Sequence, residues 1–425
     1  MKSVCRILVL LVIPVLCSAA GGTKRLFTDA ALRIDYLLVG NNQHTQVCVR
    51  QISKESRYGG CAGGMVDTLV YGTFSYRMVE AATGCLLFSR GFCPLFQEWQ
   101  TTPEAVKVNR SFYQVAVLPF PLVPVRFEID RRERDGSRKL LLSLEIDPDD
   151  YFIARESVPD WPVTMLQDRG DPSRRLDLVF LSEGYRAEEL DRFEADVSRL
   201  ADSLFAVSPF RELRDRFNIC AVRVPSRESG TDIPGERIYR NTAFNTTFYT
   251  FDIPRYLTTT DMKAVHDAAS AVPYDHLCLL VNSDRYGGGG FYNFLTVATA
   301  GNELSARVLV HELGHALAGL ADEYYSPAVA YEEFYNIRQE PWEPNLTTLV
   351  DFDRKWKDML EEDTPVPTPR EPRYHNTLGV FEGGGYVGKG IYSPAQHCRM
   401  RSNEADDFCP VCRRAIVRAV KSYCQ

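Results

Sequence analysis

Two histidines four residues apart, with a glutamate directly after the first, stand in the run HELGHALAGLADEY at residues 311–324. Histidine is scarce in this chain, seven in all, so the pairing is not a by-product of composition. In a helix the two rings lie about 400° apart at ~100° per residue, which puts them on one face. Two imidazoles on one face can hold one metal ion. Glu312 sits about 100° round from His311, where a carboxylate can take a proton from a water beside the metal. Leu313, Gly314, Ala316, Leu317 and Ala318 make the surroundings apolar. Charged and polar groups on such a helix carry a desolvation cost that a structural role alone does not offset.

A catalytic zinc commonly takes three protein ligands and leaves the fourth position to water. Asp322 is the preferred third ligand, because Gly319 permits a sharp turn that brings the chain back towards the histidines. Metzincin-type sites use such a turn, although the Gly and the acid stand one residue later here. Glu323 is the rival, and a distant histidine such as His375 or His397 is a further one. Downstream, AQHCRMRSNEADDFCPVC carries Met400, which fits a Met-turn, the apolar floor beneath a zinc of this type. Cys409 and Cys412 in the same run form a CPVC pair near Cys398 and Cys424. Such a pair could be redox-active, half of a structural zinc site, or simply disulfide-bonded or buried thiol. No second CxxC and no thioredoxin-like pattern accompany it.

The elements that must position these groups come next. NELSARVLVHELGHALAGL reads as one helix, with Asn302 able to cap its start and Gly319 its end. Before it, YGGGGFYNFLTVATAG places four glycines next to FYNFLTVATA, which reads either as an edge strand able to pair with an extended peptide or as a core strand behind a flexible loop. LDLVFLSEGY, FNICAVRVPS and HLCLLVNS are continuous apolar runs, as for strands buried on both faces. Between the first two, Leu190, Phe193, Val197, Leu200 and Leu204 recur at helical spacing. This alternation predicts an α/β domain over residues 156–425. Residues 21–155 carry several short strand patterns with Gly, Pro and Asp turns, including a hairpin turn at Asp135–Ser137. They predict a β-sandwich domain, and the whole chain falls in the α+β class. Residues 361–375 are proline-rich and read as an exposed loop.

The chain has 425 residues, 45% hydrophobic and 11% aromatic, enough to bury large cores and unlike a disordered protein. Residues 1–20 read as a signal peptide: Lys2 and Arg6, the apolar run Ile7–Leu16, then Ser18 and Ala20 at small-residue cleavage positions. The run is too short to span a membrane, and no later stretch is long and apolar enough. Lipid anchoring through Cys17 is disfavoured by the bulk of Leu16. The formal charge of −7 disfavours nucleic acid as a partner and suits an exported protein, periplasmic or extracellular. Of twelve cysteines, ten lie beyond the signal, an even number that permits disulfides in an exported chain.

VHELGHALAGLADEYY resembles the signature of the M64 peptidase family, often called IgA peptidases. So do DLVFLSEGY, YGGGGFYN, VFEGGGYVGKGIYSP and HCRMRS. LRIDYLLVG and LFQEWQTTPEA resemble the β-rich domain that precedes it in gut-bacterial members. The resemblance covers nearly the whole mature chain. It implies a zinc metallopeptidase related to the metzincins, binding one Zn2+ through His311, His315 and Asp322, with Glu312 as general base and a protein or peptide as substrate. It does not imply that immunoglobulin A is the substrate. The tetrahedral oxyanion would need a donor, for which Tyr386, Tyr392 and Arg399 are candidates. The N-terminal domain could bind a glycan or surface partner, or brace the catalytic domain. Two other readings stand beside this one: a gluzincin-type peptidase with Glu323 as third ligand, and a surface binding protein that carries zinc without turnover.

Overall fold

The structure is a computed structural model that describes residues 26–61, 64–155, 160–325 and 335–424. The signal-peptide reading falls on residues 1–20, outside the described residues. No helix among the described residues is long and apolar enough to cross a membrane.

The N-terminal part is built of β-strands in two antiparallel sheets. β1 (Phe27–Gly40) lies between β2 (Thr45–Glu55) and a later strand, β5 (Arg110–Pro121). The second sheet has β3 (Phe74–Glu80), β4 (Leu86–Phe92), β6 (Val125–Arg132) and β7 (Arg138–Ile146) in the order β4-β3-β6-β7. A short helix, α1 (Leu95–Trp99), follows β4. The turn between β6 and β7 is the expected one: Ser137 N–H donates to Asp135 Oδ1 at 2.9 Å, and Gly136 takes φ 83°. Leu32, Ile34 and Tyr36 of one sheet share a buried core with Phe74, Tyr76, Phe127 and Ile129 of the other.

The C-terminal part is organised on a six-stranded mixed sheet. Its strands are β8 (Val163–Gln167), β9 (Leu176–Glu183), β10 (Phe217–Val222), β11 (His276–Val281), β12 (Gly288–Phe291) and β13 (Leu295–Thr299). They stand in the order β12-β13-β11-β9-β10-β8. The four central strands are parallel, and both edge strands, β12 and β8, run antiparallel to their neighbours. The continuous apolar runs are explained by burial on both faces. Leu176, Leu178 and Phe180 of β9 face a core built with α2 (Leu190–Leu204), α4 (Ser305–Ala318) and α5 (Pro410–Tyr423). Val179 and Leu181 face the other way, into the core of the N-terminal sheets and of α3 (Met262–Ala269).

The N-terminal sheets therefore cover one face of the central sheet. Arg33 of β1 is buried and binds Asp35, Glu55 and, at 2.8 Å, Asp267 of α3. Cys93 N–H donates to the Tyr292 carbonyl at 2.9 Å, and the Asn293 amide donates to Gly91 O at 2.8 Å. Whatever else these sheets do, they brace the strands beside α4.

Two sequence expectations need comment. Of the two readings of the stretch before α4, the core strand holds for Leu295–Thr299, while the glycine run read as a loop is itself the edge strand, β12. Glycines give no alternation to read, and their smallness is what the position requires. The start of α4 is not capped by Asn302. The Asn302 side chain instead accepts from Leu304 N–H and donates to Asp284 O, and the helix begins at Ser305 without a side-chain cap. The expected exit holds: Gly319 takes φ 62°, its N–H donates to His315 O, and Leu320 N–H donates to Gly314 O.

All ten cysteines among the described residues are free, so the disulfides that an even count permits are absent from them.

Candidate active site

The left-handed turn at Gly319 sends the chain back along α4. Ala321 is then held by Asn345, which donates to its carbonyl and accepts from its N–H, both at 2.8 Å. Gly385 N–H donates to Asp322 O and Tyr386 N–H to Tyr324 O, strapping this return segment to the turn between β14 (Phe381–Gly384) and β15 (Val387–Ser393). Glu323 N–H donates to Met400 O at 2.8 Å. These bonds set Asp322 opposite the two histidines.

His311 Nε2 and His315 Nε2 face each other at 3.0 Å, and Asp322 Oδ1 lies 3.1 Å from the first and 3.5 Å from the second. The far side of each ring is fixed by a main-chain acceptor. His311 Nδ1 lies 2.9 Å from the Arg399 carbonyl and His315 Nδ1 2.6 Å from the Leu320 carbonyl. A carbonyl only accepts, so each Nδ1 carries the hydrogen, and each ring in its neutral form turns a bare Nε2 lone pair inward. Two lone pairs and a carboxylate oxygen pointing at one spot repel unless a cation lies among them. Asp322 Oδ1 is buried and makes no well-directed hydrogen bond. Two imidazole nitrogens, one carboxylate oxygen and second-layer carbonyls on the rings make a donor set that suits zinc.

The charges respond accordingly. Burial pushes His315 down, but Asp322 and Glu312 outweigh it and hold the ring up, at about 9. Burial also opposes the charged form of His311, and contact with Asp322 raises it on balance. Asp322 is pulled far below the usual carboxylate range by the two rings, against the effect of burial. Glu312 is raised, chiefly by burial, with the two rings opposing and Asp322 adding to it.

Glu312 stands where β12 crosses α4. A Cβ on Gly288 would meet Val308 Cγ1 at 2.7 Å and Glu312 Cγ at 3.2 Å, so only glycine lets the strand lie this close. Met400 is fully buried against the opposite side of α4, its sulfur under Gly314. The two carbonyls of Arg399 and Met400 thus serve His311 and Glu323, while the Met400 side chain packs against Gly314.

Glu312, His315 and Asp322 line a cavity of about 740 Å³. Four further residues on its wall were not foreseen from the sequence: Glu98, Arg255, Tyr256 and Tyr324. Glu98 comes from α1, in the N-terminal part, and accepts from the Tyr256 hydroxyl. It is pushed up to about 7, mainly by burial. Arg255 Nη2 lies 3.5 Å from the Tyr324 hydroxyl. Of the three residues considered as oxyanion donors, Tyr386 lines the cavity and its hydroxyl bonds Asp322 Oδ2. The Arg399 guanidinium is turned away onto the carbonyls of Asn403 and Asp406, and Tyr392 lies off the cavity wall. His375 and His397 are exposed and lie away from the paired histidines' cavity. Glu323 points to the other side of its loop, among Cys398, Cys409 and Cys412.

Comparison with known families gives two matches. The family described as IgA Peptidase M64 matches residues 164–376 and 370–420, and the one described as Peptidase M64 N-terminus matches residues 23–143. No curated protein matches the chain.

Proposed function

The chain belongs to the IgA peptidase M64 family of metallopeptidases, and on that premise we propose that it is an exported zinc endopeptidase. Residues 1–20 act as its signal, residues 21–155 as a β-sandwich domain, and residues 156–425 as a metzincin-like catalytic domain. The observation that carries the reading is the convergence of His311, His315 and Asp322 beside Glu312, with His315, Asp322 and Glu312 on the wall of one cavity.

His311, His315 and Asp322 hold the ion, and when bound it supplies Lewis-acid polarisation of a water and of the scissile carbonyl. Glu312 takes the proton of that water and passes it to the leaving amine, a role served by its raised proton affinity. The Tyr386 hydroxyl, which bonds Asp322 Oδ2, and the Arg255 guanidinium both stand on the cavity wall, where they would donate to the developing oxyanion. β12 offers an antiparallel edge to an extended peptide, with Leu257 N–H already donating to Gly288 O at one end of it. The substrate is a protein or peptide, and the family name does not make it immunoglobulin A. The placement of Glu323 among cysteines weighs against the gluzincin-type alternative.

The test compares the mature protein with Glu312→Ala in metal content and in cleavage of a peptide library. The variant is expected to keep its metal and lose cleavage by about 10²–10⁴-fold, the usual worth of a general base. Undiminished cleavage by the variant would remove Glu312 from the mechanism. A metal-loaded parent that cleaves nothing would favour the zinc-bearing binding protein.

A further inference from the structure

Behind the histidine pair lies a second group of ligand atoms. Glu323, Cys398, Cys409 and Cys412 are all buried, and one ligand atom from each lies within 4.8 Å of every other. They come from three separate segments: the return loop after α4, the strand-to-helix segment carrying Met400, and the first turn of α5, of which Cys409 is the N-cap. We propose that these four residues form a second, structural metal site, which takes a tetrahedral zinc ion.

The distances fit such an ion better than they fit the alternatives. Two thiolates on one tetrahedral zinc at ~2.3 Å stand about 3.8 Å apart by simple geometry. Cys398 Sγ and Cys412 Sγ are 3.9 Å apart. A disulfide needs the two sulfurs at about 2.05 Å, far closer than observed. Glu323 Oε1 lies 3.0 Å from Cys412 Sγ and 3.7 Å from Cys409 Sγ. Cys409 N–H donates to Cys398 Sγ at 3.3 Å, a bond that favours the thiolate.

Glu323 makes the independent case. It is fully buried, Asn345 donates to its Oε1 at 3.1 Å, and its Oε2 has no hydrogen-bond partner. A bare carboxylate oxygen in a core is left without the hydration it has lost, and a cation among the sulfurs relieves it. Three thiolates select a borderline or soft cation over calcium or magnesium, and four protein ligands leave no place for water, which marks the site as structural. The Arg401 guanidinium feels Glu323, Cys398 and Cys409 and offsets part of their charge. On binding, the three thiols release their protons to solvent, and nothing is oxidised or reduced.

The effect on the first site is positional. Glu323 follows Asp322, and Cys398 precedes the Arg399 and Met400 carbonyls that hold His311 and the return loop. An ion joining Glu323 to Cys398 fixes both. The second site shares no ligand with the first and does not rest on the peptidase reading.

The full mature chain is stripped of metal under reducing conditions and titrated with Co2+. A near-ultraviolet thiolate-to-cobalt charge-transfer band is expected in the parent, and it can arise only where sulfur ligates. The band is expected to persist in His311→Ala/His315→Ala and to vanish in Cys412→Ser. Metal analysis is expected to give two zinc ions per parent chain and one in either variant. Glu323→Cys is expected to strengthen the band. The parent alone decides if Cys412→Ser fails to fold: absence of the band at saturating Co2+ overturns the proposal. So does a parent isolated with one zinc and with two thiols fewer than its cysteine count, the mark of a disulfide. A parent that shows the band and binds two zinc ions but cleaves no peptide would instead count against the peptidase reading and leave the second site standing.

Discussion

Gly290 of β12 lies against the main chain of Glu312: a Cβ built on it would stand 2.3 Å from the Glu312 carbonyl oxygen. The strand that edges the cleft is thereby pressed onto the helix turn that carries Glu312, the proposed general base. No rotamer change relieves a contact with backbone, so Gly290→Ala must push strand and helix apart. The expected result is retained metal, a stability loss of about 1–3 kcal/mol from overpacking, and a fall in kcat/KM of about 10²-fold from misplacing Glu312. Metal analysis with peptide kinetics reads both. Unchanged kinetics would mean that the close approach is not needed for catalysis.

Met400 is expected to tolerate shape-conserving change, because the groups that hold His311 and the return loop are the carbonyls of Arg399 and Met400 rather than the thioether. Met400→Leu should cost under about 1.5 kcal/mol and keep cleavage within about tenfold. Met400→Ala opens a void under Gly314 and should cost about 2–5 kcal/mol, with weaker metal retention against a chelator. Thermal unfolding and chelator titration of the two variants check this. Equal behaviour of Leu and Ala would show that the side chain is not the floor.

What the sequence made legible was local. The spacing of His311, Glu312 and His315, the exit at Gly319, and the apolar runs of β9, β10 and β11 each declare themselves within a dozen residues. The return of Asp322 towards the two histidines followed from the turn chemistry of Gly319. Glu98 and Tyr256 meet across 158 positions in the chain, and no periodicity links them. The partition of Asp322 and Glu323 to opposite sides of one loop depends on Asn345, Tyr386 and Met400, which are distant in sequence. The CPVC pair was visible, but its joining to Glu323 and Cys398 was not, because ligands from three segments follow no fixed spacing. The even cysteine count suggested pairing that burial of separate thiols does not produce. Glycine carries no side-chain pattern, so the sequence left the later run open between edge and core strand and did not show that Gly288–Phe291 is the edge.

Glu98 reaches the cleft from the N-terminal part and bonds the Tyr256 hydroxyl, and the residue after Tyr256 donates its N–H to Gly288 O. Glu98→Ala should therefore act through the strand edge where a peptide would lie. KM is expected to rise by about fivefold, the worth of roughly 1 kcal/mol of lost hydrogen bonding, with bound metal unchanged. Glu98→Gln keeps an acceptor for the hydroxyl and should restore most of the loss. If Gln and Ala behave alike, the charge of Glu98 matters rather than the hold on Tyr256.

Asp177 of β9 gives a pH test free of the metal. Its carboxyl is pushed up to about 7, mainly by burial, with the charges of Asp171 and Asp168 adding to it and the Asn218 hydrogen bond and Arg57 opposing. Asp177 N–H also donates to Asp275, another buried carboxyl raised by burial and by the Asp177 charge. A carboxyl whose folded pKa is raised favours its neutral form in the native state. Its stabilising contribution is full below the ordinary value of 3.8 and is lost as the pH rises through about 7. Asp177→Asn stays neutral and can still accept from Asn218, which donates to Asp177 Oδ1 at 2.8 Å. Relative to the parent it should be near neutral at about pH 4 and more stable at about pH 8, by at most about 4 kcal/mol for a shift of some three pH units. Metal ligands titrate alike in both proteins, so they cancel from the difference. Denaturant unfolding of parent and variant at the two pH values decides it: a gain that is equal at both, or larger at the lower, would show that Asp177 is ionised in the fold throughout.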